Sequence, residues 1–345
     1  MEIPIDSYNR IFETKSRILV IMPHPDDTEL YCGATVARLI KSGKRVRVVK
    51  MTYGDKGSRQ EKITQRELRS LREKEDREAM KVLGVKDEDN IYLGLADGEI
   101  EHNLETIGKV AYQIRLFKPE LIITTNPEDY IIRFDKDVNW VNHRDHRHTG
   151  RIALDAAYPY ARDLLFFPEH FTTYSKSTKM KKRLGDASQM PFASAQGKPY
   201  NIGACPERAK RVEGSGRTLR EKSHEVQSWS CTEFLFTDVY DHPDLVYIDV
   251  TDFIDYRTRA LAAHSSQYSL QHSQESTDFF TKLPEYGSRR FDRFRYVLAD
   301  LNYIPNLVFI SLKGFPVVTS AALNRIQVSQ TAPVILFFGG QYTTS

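Results

Sequence analysis

Apolar runs alternate with amphipathic, charge-rich stretches through the first 165 residues. "RILVIMP" (17–23) and "LIITTNP" (121–127) read as buried strands, "KRVRVVKMTYG" (44–54) as a further strand, and "NIYLG" (90–94) is short and apolar. Between them the apolar positions recur at helical spacing. Helices are expected over 28–43, closed by Gly43; over 65–85, closed near Gly84; over 103–120, stopped by Pro119; and over 145–161. Strands alternating with helices imply right-handed βαβ crossovers, hence an α/β chain folded as a Rossmann-like three-layer sandwich around a mostly parallel sheet. Such sheets place their sites at the carboxyl ends of the strands.

The pattern fails over 172–228, where periodicity disappears and Lys176 to Lys222 holds twelve Lys/Arg against four Asp/Glu. This reads as a basic, mobile insertion in a core domain that begins at 1–171 and resumes at 229–304. Its pieces "FASAQGKP" and "CPERAKRVEGSGRTLR" resemble translated repetitive elements that interrupt some bacterial genes. Order returns with a strand at "FLFTDVY" (234–240) and a strand followed by a helix over 244–268. The apolar, weakly charged 305–345 reads as an extension of undecided structure.

Composition narrows the function classes. A net charge of +3 gives no argument for nucleic acid. Three widely spaced cysteines, Cys32, Cys205 and Cys231, give neither a disulfide framework nor a zinc-knuckle spacing. With no apolar leader and no run of about 18 apolar residues, a cytoplasmic setting without a membrane span is expected.

Three polar clusters interrupt this ordinary background. "HPDDTE" (24–29) follows the first strand, "NHRDHRHTG" (142–150) follows the strand at 121–127, and "AAHSSQ" (262–267) contains His264. The first two can meet at one sheet edge. A loop His, an Asp three residues on and one distant His form a three-ligand zinc pattern that leaves a position for water. Capping of the helix that starts near Thr28 is the plain alternative for Asp26 or Asp27.

"PHPDDTELYCGAT", "HRDH" and "AAHSSQ" together resemble the PIG-L/LmbE-like zinc deacetylases, which remove N-acetyl groups from N-acetylglucosaminyl conjugates. "TYGDKGS", "YLGLADGE" and "KPELIITTNPED" occur in the family's order, and the resemblance spans roughly 15–165 and, more weakly, 240–300. It implies Zn2+ held by His24, Asp27 and His146, with Asp26 as general base. It also implies His143 and Asp145 as a charged pair beside the metal, and His264 approaching the acetyl group from the other side. The expected partner is a small N-acetylated amino-sugar substrate; a homo-oligomer stays open. An amidase on another glycan or thiol-conjugate amide, and a catalytically weak sugar- or polyanion-binding protein, are the competing readings. Gly33-Ala34 stands where the family often has paired glycines.

Overall fold

The computed structural model describes residues 6–58, 62–134, 137–171 and 226–299, all within the unit Met1–Leu301. The expected extension 305–345, and the expected insertion 172–228 apart from its last three residues, lie outside the described residues.

After a short helix α1 (Tyr8–Phe12), the chain runs through β1 (Arg17–Met22), α2 (Asp27–Lys41), β2 (Arg45–Thr52), α3 (Gln65–Leu83), β3 (Asn90–Leu95), α4 (Leu104–Phe117) and β4 (Leu121–Thr125). A hairpin, β5 (Ile131–Arg133) and β6 (Asn139–Val141), leads into α5 (Arg144–Asp155). β7 (Glu233–Thr237), β8 (Leu245–Asp249), α6 (Ile254–Ala263), α7 (Leu270–Thr281) and β9 (Phe291–Leu298) complete the described chain. The expected helix over 145–161 is shorter than its pattern suggested, because a wider turn containing Pro159 follows Asp155.

The sheet has seven strands in the order β3-β2-β1-β4-β7-β9-β8, and the pairs among the first five are all parallel. β9 is antiparallel to both its neighbours. The mostly parallel α/β sandwich expected from the alternating pattern is therefore what forms. Buried residues of β1 alternate between the two faces. Ile18, Val20 and Met22 pack with α2 and α3, while Leu19 and Ile21 pack with α4 and α5. Because both faces are covered, these strands read as continuous apolar runs.

Helix ends follow local chemistry. Thr64 and Glu67 form a capping box at the start of α3, and Gly84 ends it in the left-handed region at φ 88°. The order of strands reverses between β1 and β4, which lie side by side although β2 and β3 intervene in sequence. The crevice above such a switch point is where open α/β sheets bind ligands.

Candidate metal centre at the sheet edge

The loop leaving β1 carries His24, Asp26 and Asp27. The Asp27 carboxylate accepts from the backbone N–H of His24 at 2.9 Å and faces His24 Nδ1 at 3.1 Å. Its other oxygen lies 3.4 Å from His146 Nε2. One carboxylate thus sits between two imidazoles that come from different strand ends.

His146 reaches this point because α5 lies against the end of β4. A Cβ on Gly150 would stand 2.3 Å from the Thr125 carbonyl oxygen and 2.9 Å from Pro127 N, so only glycine permits the approach. Thr125 Oγ1 donates to the His146 carbonyl at 2.6 Å and fixes the register of the helix.

The outer nitrogen of each imidazole is held by carboxylates. His24 Nε2 lies 3.3 Å from Asp97 and 3.4 Å from Asp145, and His146 Nδ1 lies 3.0 Å from the buried Asp238. Carboxylates on the outer ring nitrogens orient metal-binding histidines and raise their basicity. Asp97 follows β3 and Asp238 follows β7, so the site draws on four strand ends. Sequence reading did not single out either aspartate. The one available signal was position, since both stand just past a strand's carboxyl end in quoted stretches, "YLGLADGE" and "FLFTDVY".

The electrostatics follow from this crowding. Burial works against charge on Asp27, yet His146 and His24 outweigh it and hold the carboxyl well below the usual range. Burial likewise opposes charge on His146, but Asp27 and Asp238 lift it to about 10. An ionised carboxylate and two imidazoles steadied from outside suit a zinc ion. The nearest ring nitrogens of His24, His143 and His146 lie within 4.8 Å of one another.

Asp26 precedes the first residue of α2 at φ 94°, and its side chain makes no capping hydrogen bond. Capping therefore does not explain it. Left-handed backbone at a non-glycine residue is characteristic of functional sites. Its carboxylate accepts from Arg72 Nη2 at 3.1 Å, and Arg72 Nη1 donates to the Gly54 carbonyl at 2.7 Å. Burial raises the Asp26 carboxyl to about 6, with Arg72 opposing. A Cβ on Gly54 would fall 1.9 Å from Arg72 Nη1, which accounts for glycine in "TYGDKGS". Arg72 escaped sequence reading because it sits in a charge-dense helix where most arginines face solvent.

His143 and Asp145 are both near the site and are joined through a backbone contact. His143 Nδ1 accepts from the Asp145 backbone N–H at 3.2 Å, while the Asp145 carboxylate accepts from Gly98 N at 2.8 Å and Ile100 N at 3.3 Å. Turned toward those amides and His24, the carboxylate is fully buried. Burial and the neighbouring His24 and His146 lower the His143 pKa, favouring the neutral ring. With Nδ1 accepting, the ring proton belongs on Nε2.

His264 is placed differently from expectation. It is wholly buried at the end of α6, with Nε2 3.1 Å from Glu29 Oε1, and Glu29 is itself wholly buried. Glu29, Asp76 and His264 present atoms within 4.8 Å of one another, and Lys50 pairs with Asp76 at 2.8 Å. The neighbouring Ser265 and Ser266 are fixed by Glu75, whose carboxylate accepts from both hydroxyls and from Ser266 N. The packing of α6 on α2 and α3 thus carries the one buried residue of "AAHSSQ", His264, to Glu29.

Replacing Asp238 by Asn is expected to weaken zinc binding by about 10- to 100-fold, the usual cost of losing an outer partner of a metal-bound histidine. Asn also tolerates the left-handed φ of 61° at this position. Competition against a chromophoric chelator measures the affinity; an unchanged value would mean that Thr125 and the helix alone orient His146.

A Rossmann-like sheet with a His/Asp cluster above its switch point defines the class, an α/β protein with a candidate metal site. Residues 19–157 match the PIG-L family model, described as GlcNAc-PI de-N-acetylase. Over 149 residues the chain is 28% identical to diacetylchitobiose deacetylase of Thermococcus kodakarensis, covering 43% of this chain and 51% of that protein, about half its length. It is 27% identical to 1D-myo-inositol 2-acetamido-2-deoxy-alpha-D-glucopyranoside deacetylase of Mycobacterium sp. (strain JLS), covering 76% of this chain and 78% of that one. The structure of N,N'-diacetylchitobiose deacetylase from Pyrococcus horikoshii superposes with a TM-score of 0.59 at 21% identity, over 85% of this chain and 88% of that chain, and shows the shared fold. Among the described residues, no helix is long and apolar enough to cross a membrane.

Proposed function

We propose that this protein is a zinc-dependent hydrolase that removes the N-acetyl group from an N-acetylglucosaminyl conjugate. The observation that carries the reading is the Asp27 carboxylate held between His24 and His146, with Asp26 next to it and its carboxylate accepting from Arg72. The relatives' names support an N-acetyl amide as the bond attacked.

His24, Asp27 and His146 would hold the zinc, which when bound supplies Lewis acidity toward a water and an amide carbonyl. Asp26 takes the water's proton. A carboxyl lifted toward neutrality suits that role better than an ordinary one, since a general base works best near the operating pH. Arg72 holds it in place. His143 donates Nε2–H to the carbonyl oxygen as negative charge gathers there, and the backbone contact to Asp145 fixes the donating tautomer. Asp26 then returns its proton to the departing amine. Asp97, Asp145 and Asp238 keep the two metal-side imidazoles aligned. His264, paired with Glu29, acts on Asp26 through its charge rather than on the acetyl group.

The test is metal analysis combined with amine release from N-acetylglucosamine, N,N'-diacetylchitobiose and an inositol-linked N-acetylglucosaminide. The expected result is zinc at about one ion per chain, the stoichiometry of a single three-ligand site, with amine released from at least one substrate. A zinc-loaded protein that releases amine from none would sink the deacetylase reading, and a protein that refuses zinc would sink the metal assignment.

A further inference from the structure

The segment after α5 is wrapped around one arginine. Arg115, on α4, is fully buried. Its Nη2 donates to the carbonyls of Tyr160, Asp163 and Phe166 at 2.8 to 2.9 Å, and its Nε donates to that of Ala161 at 3.0 Å. Nη1 donates to the Phe167 carbonyl at 3.3 Å and to His170 Nδ1 at 2.8 Å. Burial and the Arg115 charge push the His170 pKa down to about 3, so the ring stays neutral and can accept. Phe167 stands at φ 52°, left-handed for a bulky residue, and its ring lies on Gly108, where a Cβ would come within 2.8 Å of it. Such a conformation persists only where the surroundings over-determine it.

That frame holds apolar side chains out in water. Leu164 is 59% exposed, Leu165 93% and Phe166 38%. Beside them α4 offers the converse shape. Leu104, Gly108, Tyr112, Phe167 and His170 line an open recess, and Leu104 is 42% exposed. The segment cannot turn its own leucines inward, because the Arg115 bonds to Asp163 and Phe166 fix the chain on both sides of them. Contiguous exposed apolar surface of this kind commonly marks an interaction site.

We infer that this face joins two copies of the chain, with Leu164 and Leu165 of each seated in the α4 recess of the other. A projection and a recess side by side on one face are complementary to themselves under a two-fold axis, the commonest symmetry of homo-oligomers. Charge selects against an anionic lipid surface as the occupant. Arg162 is paired with Asp163, Lys109 is paired with Glu105, and Glu169 adds a further acidic group at the recess. A membrane contact of that kind draws on an excess of basic residues. The surface uses none of the residues assigned to hydrolysis and is independent of the deacetylase reading.

The test uses the full chain in solution. Sedimentation velocity over a wide range of concentration should show a monomer–dimer equilibrium. Leu165→Glu should raise the dimer dissociation constant by at least about tenfold, the effect of losing one central apolar anchor. Its melting temperature should not change, because so exposed a side chain packs against little within one copy. Leu104→Glu should act in the same way from the recess side, and an acidic residue at the first position of α4 suits the helix dipole. Mixing the two variants is the decisive measurement. Leu165→Glu keeps a recess and Leu104→Glu keeps a projection, so the mixture should recover one of the two contacts and associate more tightly than either variant alone.

A wild-type chain that stays monomeric at every concentration would overturn the proposal. So would a dimer that both variants leave intact, since its contact would lie elsewhere. Two monomeric variants whose mixture also stays monomeric would mean that the leucines meet tip to tip, which overturns the seated arrangement. A monomer that binds anionic vesicles, with binding lost in Leu165→Glu, would assign the projection to a lipid surface and overturn the second copy as its occupant.

Discussion

Asp26→Asn is expected to lower turnover by about 10² to 10⁴, the typical contribution of a general base, while leaving zinc bound. The expectation rests on the division of labour between neighbouring aspartates. Asp27 faces both imidazoles, whereas Asp26 faces Arg72 and makes no contact with His24 or His146 among the hydrogen bonds described. Asn is the informative substitution. It is nearly isosteric, it accepts from Arg72 through its amide oxygen, and it tolerates the left-handed φ of 94° that Ala would resist. What it lacks is the ability to take a proton. Steady-state amine release and metal content on the same preparation make the check, with a melting curve to establish that the variant is folded. Asp27→Asn is the companion: it should lose the metal. If Asp26→Asn loses zinc and Asp27→Asn keeps it, the two roles are exchanged.

Legibility in the sequence follows the range of the forces involved. The parallel strands were readable because both faces of the sheet are covered, leaving unbroken apolar runs such as Arg17–Met22 and Leu121–Thr125. His24, Asp27 and His146 were readable because two polar clusters at strand ends have no packing reason to exist. Asp97, Asp238 and Arg72 were not, since each becomes part of the site only through a contact across 46 to 92 residues. His264 stood out in the sequence, but its neighbours could not be seen there; the packing of α6 brings it to Glu29. β9 was missed for another reason. "FDRFRYVL" places Asp292 and Arg293 where a strand pattern wants apolar residues, and its burial depends on partners elsewhere.

The buried ion pair that Asp292 makes with Arg257 leads to the largest expected loss of stability. Arg257→Met is expected to destabilise the protein by about 3 to 5 kcal/mol, the cost of leaving one member of a buried ion pair uncompensated. Arg257 Nη1 lies 2.7 Å from Asp292 Oδ1, and both side chains are fully buried. The other Asp292 oxygen accepts from Thr35 N at 2.9 Å and Thr35 Oγ1 at 2.7 Å, and Arg257 Nη2 donates to the Leu30 carbonyl. The pair therefore binds α6 and β9 to α2, whose first residue is Asp27. Burial already raises the Asp292 carboxyl, with Arg257 opposing; without the guanidinium that opposition is gone. A carboxyl whose folded pKa exceeds its unfolded value binds protons preferentially in the folded state, so the variant's deficit should shrink as pH falls through the raised value. The Arg257→Met/Asp292→Asn double variant should be more stable than Arg257→Met alone at neutral pH, because it removes the stranded charge and keeps an acceptor for Thr35. Urea unfolding of the three proteins at two pH values decides the matter. A loss below about 1 kcal/mol, the level of a solvent-exposed pair, or a double variant no better than the single one, would mean that water reaches Asp292 and that the joint between α6, β9 and α2 is held by apolar packing instead.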